Sequence, residues 1–176
     1  MPRAELRALR ARLGSAALLG GLAMLAGCAT GSIERGVFDS AKGYRVTLPV
    51  EGWQVHREPR ADLALKRQAP EGGMLVDATC DPRTVGRPLR LLVRYLSFGL
   101  TRRAVVEEEP VTVAAREGLR QVIRGERDGT DVRVEAVSIK DGRCVYDFLY
   151  VAPPPAFPAG RPAFRELVQS FAVELR

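Results

Sequence analysis

Few residues in this chain of 176 could do covalent or acid–base chemistry. His56 is the one histidine, three residues after Trp53 in a run with strand-like alternation. A hydrolytic triad would need His56 with a serine and one of Asp62, Asp77 or Asp147, but no serine stands in a G-x-S-x-G nucleophile elbow. A single histidine also excludes a His-rich metal site. Asp77, Asp81, Asp141 and Asp147 lack the ligand spacing of a calcium loop. Asp81 and Asp141 suit turns, and Asp77 and Asp147 fall on the polar phase of strands. No catalytic, cofactor-binding or metal-ligating residue is expected, and the chain reads as a non-enzyme.

Cysteine chemistry remains. Cys80 and Cys144 each lie on the apolar phase of a strand-like run. In an oxidising compartment an even pair reads as a disulfide, and the other reading is two buried free thiols. Sequence alone leaves both open, because a bridge requires Cα atoms within about 7 Å. A bridge would close a loop long enough to contribute about 4 kcal/mol through chain entropy.

The elements that must position these groups follow from periodicity. Residues 43–49 alternate with Tyr44, Val46 and Leu48 on one face, as in a half-buried strand. Residues 53–56, 63–66 and 74–80 read as three more strands, with a Pro-Glu-Gly-Gly loop at 70–73. The period then changes. Leu89, Leu92, Val93, Leu96 and Leu100 form the stripe of an amphipathic helix begun by Pro88. Strands resume at 104–113, 120–127, 132–140 and 144–151, with Pro110 marking an edge or a break. Asp128-Gly129 and Asp141-Gly142 are hairpin signals. A last helix starting near Pro162 carries Phe164, Leu167, Val168, Phe171 and Leu175 on its apolar stripe. The expected fold is one α+β domain, an antiparallel sheet of about six to eight strands covered by two main helices.

Charge marks two surface features. Arg87, Arg90 and Arg94 share a helix face, followed by Arg102-Arg103. This stripe is a candidate contact with an anionic surface, weighed against an ordinary solvated face. Glu107 to Glu109 could meet a basic partner, but edge protection is the favoured reading. The chain has 27 Lys+Arg and 21 Asp+Glu, and residues 1–27 hold four of the arginines and one glutamate. The remainder has a net charge of only +3, which does not argue for nucleic acid.

At the start, a basic segment precedes fifteen uncharged residues, 13–27, too few for a membrane span of about twenty. Leu25-Ala26-Gly27-Cys28 follows. In order, spacing and residue type this resembles bacterial lipoprotein precursors. The resemblance implies removal of 1–27, acylation of Cys28, a lipidated tether over 28–37 and a globular domain over 38–176. It also implies a cell-envelope address, anchored in the membrane by the acyl chains. Because Ala29 and not aspartate follows the cysteine, the outer membrane facing the periplasm is favoured over the inner one.

GYRVTLPVEGW at 43–53, RCVYDFLYVAP at 143–153 and FRELVQSF at 164–171, taken with the element order, resemble the PsbP-like fold. That fold occurs in the photosystem II extrinsic subunit and in many short bacterial secreted proteins. The resemblance implies a non-catalytic binding or assembly module with an envelope protein partner, though fold alone does not fix function. The alternative is a periplasmic carrier or sensor of a small apolar ligand held between a helix and the sheet. A hydrolase ranks last.

Overall fold

Strand-forming sequence dominates the computed structural model, which describes residues 31–174. Cys28, the 1–27 segment and Leu175 lie outside the described residues. The strands are β1 (Gly31–Glu34), β2 (Val37–Ser40), β3 (Tyr44–Thr47), β4 (Gln54–His56), β5 (Leu63–Gln68) and β6 (Glu71–Thr79). Two short helices follow, α1 (Pro82–Val85) and α2 (Leu89–Tyr95). Then come β7 (Thr101–Val113), β8 (Arg116–Arg127), β9 (Thr130–Lys140), β10 (Val145–Ala152), α3 (Phe157–Gln169) and β11 (Ala172–Val173).

All pairings are antiparallel, and the fold class is α+β as the pattern implied. The larger sheet has seven strands in the order β4-β5-β6-β10-β9-β8-β7. A second sheet, β1-β2-β3-β11, was not anticipated. The β1, β2 and β11 segments are two to four residues long, too short for alternation to register. Residues 31–34 of the expected tether form β1, and Val37 opens β2, so strand begins before the expected boundary at 38.

Each sheet face has its own core. Met74, Val76, Tyr146, Phe148 and Tyr150 face Phe38, Tyr44 and Val46 of the small sheet and Phe164, Leu167 and Phe171 from α3 and its exit. On the opposite face Ile123, Val132, Val134 and Ala136 pack against Val93 and Leu96 of the α2 region. Central strands are thus buried on both sides. Among the described residues no helix is long and apolar enough to cross a membrane.

Three boundaries differ from expectation. The first amphipathic helix stops at Tyr95, and residues 96–99 are turns. The last helix begins at Phe157, five residues before Pro162, which sits inside it. Proline lacks the N–H that would bond the carbonyl four residues back, but burial of Phe157, Gly160, Phe164, Leu167 and Val168 holds the helix through that gap. The loop expected at 70–73 shrinks to Pro70 because Glu71–Thr79 is strand. Asp128 and Gly129 adopt φ of 51° and 78°, the left-handed pair that a two-residue hairpin demands.

Candidate binding surfaces

The acidic residues weighed for catalysis have structural duties. Asp81 caps α1 by accepting from Arg83 N at 2.9 Å. Asp141 accepts from the N–H groups of Arg143 and Cys144 at 2.9 and 2.8 Å, and from the Tyr146 hydroxyl at 2.9 Å. Burial opposes its charge, but these backbone donors outweigh it and hold the carboxyl below its ordinary range. Asp62 is buried. It accepts from the Tyr44 hydroxyl at 2.9 Å and Ala78 N at 3.1 Å, and it pairs with Lys42 at 2.9 Å. Lys42 also reaches Asp77 at 2.9 Å, so one ammonium bolts the small sheet to the large one.

Asp147 stands opposite Asp77 across β10 and β6 and accepts from Ser138 Oγ at 2.5 Å. Burial raises its carboxyl to about 6, with the Asp77 charge adding to the effect. This serine–aspartate pair has no histidine partner, since His56 lies exposed on edge strand β4, three strands away from β10. Among the described residues no group of three or more His, Cys, Asp or Glu is placed to hold a metal ion.

Cys80 and Cys144 sit just beyond the β6–β10 ladder, one step past the Thr79–Val145 pair. Their sulfurs are bonded at 1.99 Å with Cα atoms 4.1 Å apart. Of the two readings left open by the sequence, the structure contains the bridge.

The acidic run on β7 is consumed internally. Alternation sends Glu107 and Glu109 to the α3 face and Glu108 to the α2 face. Arg120 on β8 pairs with Glu107 at 2.9 Å, Glu109 at 2.7 Å and Glu135 at 3.0 Å. Arg161 and Arg165 of α3 reach the same Glu135, which is 0 % exposed, at 2.6 and 3.4 Å. Hydrogen bonds from Arg120 and then Arg161 hold the Glu107 carboxyl below its ordinary value. Strand β7 is the sheet edge, as Pro110 suggested, and its carboxylates are tied down rather than offered to a partner.

The arginine stripe is also partly spent. Arg87 precedes α2, so only Arg90 and Arg94 are helical. Arg90 pairs with Glu108 at 2.5 Å, and Arg87 stacks over Tyr95 at 5.8 Å. Beside the stripe lies a feature the sequence reading missed. Phe98 is 73 % exposed and Tyr95 48 %, with their rings 6.4 Å apart. Arg103 lies 6.0 Å over Phe98 and donates to Ser97 O at 3.3 Å. Contacts of Arg90 with Glu108 and of Arg103 with Ser97 show that α2 and its exit run antiparallel beside β7. Exposed Val105 lies between those two contacts. Tyr95 and Phe98 stand off the helix's core stripe, which was a signal available in the sequence. Aromatic side chains flanked by arginine, exposed and clustered, mark contact surfaces.

Two cavities flank the large sheet, one on each face. Between α3 and the sheet a notch of about 250 Å³ is walled by Val111, Val137, Phe164 and Val168, but Arg120 and Glu135 form part of its lining. On the α2 face an open cleft of about 470 Å³ has Ala64, Leu75, Val132 and Val151 among its walls.

No family model matches the chain, and no curated protein matches it. Solved structures do resemble it. CyanoP, the cyanobacterial PsbP of Synechocystis sp. PCC 6803, aligns over 91% of this chain and 99% of its own at 14% identity and a TM-score of 0.59. LpqN of Mycobacterium tuberculosis, described as involved in cell envelope biogenesis, aligns over 75% and 83% at 9% identity with a TM-score of 0.57. PA94 of Pseudomonas aeruginosa, a protein of unknown function, aligns over 75% and 91% at 13% identity with a TM-score of 0.52. At these identities the likeness concerns the fold, which is PsbP-like.

Proposed function

We propose that the protein is a lipid-anchored module of the bacterial cell envelope that binds a protein partner and performs no chemistry of its own. Acyl chains on Cys28 hold it at a membrane, the outer membrane facing the periplasm in preference to the inner. The observation that carries the binding role is the exposed corner of Tyr95, Phe98 and Val105 with its arginines. Rigid aromatic side chains and arginine supply most of the energy of protein interfaces. The role in envelope biogenesis described for the PsbP-like neighbour LpqN is in keeping with this setting. The carrier reading has weaker support, because the notch under α3 has charged groups in its lining and the α2-side cleft is open.

The test is photo-crosslinking in the native envelope from residue 98 of the full-length chain, with exposed Glu166 on α3 as the control position. One discrete protein adduct from 98, at least tenfold weaker when Tyr95→Ala and Val105→Asp are added, is expected. Equal adducts from both positions, or none from 98, would remove the corner from consideration.

A further inference from the structure

Strand β1 begins only three residues after Cys28, which allows the chain to span about 10 Å at most. Wherever the acyl chains lie, the start of β1 lies close to them. β1 is the outer strand of the small sheet and lines one cleft with residues of β4 and β5 at the edge of the large one. Gly31 and Ile33 share a cleft of about 730 Å³ with Val55, Arg57, Pro59 and Ala61. On this corner Ile33 is 43 % exposed and Val55 56 %, both on edge strands. Arg57 lines this cleft with Glu58, and exposed Arg60 follows two residues later, its N–H on the Glu58 carboxylate at 3.4 Å, so the segment carries two cations against one half-buried anion.

We infer that this corner, Ile33 and Val55 with Arg57 and Arg60, rests on the anionic phospholipid surface of the bilayer that holds Cys28. The inference depends on the acylation proposed above. The two aliphatic side chains enter the headgroup boundary and the two guanidinium groups meet lipid phosphates, as apolar and basic groups do at an interface. The opposite corner then points away. The small sheet and α3 cover one face of the large sheet and α2 the other. Strand β7 is six strand steps from β4, about 29 Å at 4.8 Å per step. Arg87, Arg90, Arg94 and Phe98 therefore face the aqueous space, where a protein is met, and not the lipid. The arginine stripe then takes the solvated-face reading, one of the two that the sequence left open.

The experiment uses the full-length chain matured in a bacterial host and reconstituted in phosphatidylethanolamine–phosphatidylglycerol vesicles. With Cys80 and Cys144 bridged, Ile33→Cys, Val55→Cys and Phe98→Cys each supply a single thiol for an environment-sensitive fluorophore. Nitroxide-headgroup lipid is the quencher. Quenching at 33 and 55 at least twofold stronger than at 98 is expected. Quenching at 98 equal to or stronger than at 55, in protein whose intact mass shows acylation, overturns the orientation and leaves the anchor standing. An intact mass without acyl groups overturns both.

Discussion

At the residue scale the dominant feature is charge held inside a β-sheet. Glu135 on β9 has no exposure and is met by three guanidinium groups. Removing water from so many charges is costly, and it is offset only because each charge finds several close partners. Among the described residues no cation pairs with Asp147. Its one short hydrogen bond comes from Ser138, and burial holds its carboxyl at about 6, above the value near 3.9 of an unfolded chain. Between those values the folded state binds the extra proton, so stability falls as pH rises from about 4 to about 6 and does not recover above it. Asp147→Asn keeps a hydrogen-bonding amide and removes the titration. The variant is expected to gain about 2–3 kcal/mol relative to the parent at pH 7 and nothing at pH 4, measured by urea unfolding at both values. An equal difference at the two pH values would mean that Asp147 is not charged at neutral pH or not buried.

At the element scale, α3 shows how packing overrides local preference. It holds Pro158, Gly160 and Pro162 within thirteen residues, a poor helix by propensity. Gly160 is there for contact. A Cβ at this position would collide with the Tyr150 hydroxyl, which donates to Phe157 O at 3.1 Å. Gly160→Ala would therefore cost about 1–3 kcal/mol by overpacking, although alanine is the better helix former. The readout is the urea midpoint. A midpoint unchanged or raised would show that the helix has room to move off the sheet. Strand β7 makes the complementary point. Its acidic run and Pro110 protect an edge, yet the carboxylates do so while locked to Arg120, Arg161 and Arg90.

At the scale of the whole molecule, two sheets are held together by few specific links. Lys42 joins the β2–β3 turn to Asp62 and Asp77, and the Tyr44 ring packs against Tyr146 and Phe171. Within the large sheet the Cys80–Cys144 bridge spans 64 residues of sequence, enclosing α1, α2 and β7 to β9. Cys80→Ser combined with Cys144→Ser is expected to lower stability by about 4 kcal/mol. Parent and variant should then unfold alike in the presence of reductant. A parent insensitive to reductant, with both thiols alkylated before reduction, would rule the bridge out in solution.

The sequence by itself determined the fold class, most strands of the large sheet, the core positions Leu92 and Val93 of α2 and Phe164, Leu167 and Val168 of α3, and the turn duties of Asp81 and Asp141. Each is written in local periodicity or turn chemistry, which depends on neighbours a few residues away. The lipobox-like Cys28 belongs to the same kind of signal, and it lies outside the described residues. Only the tertiary structure decided the small sheet, whose strands are too short to show a period. It alone paired Cys80 with Cys144, because that depends on the β6–β10 register across 64 residues. It alone turned Glu107 to Glu109 from a free acidic run into partners of arginines, two on other strands and helices of the α3 face and one on α2. Long-range pairing is set by which surfaces must be buried together, and no single stretch of chain carries that information.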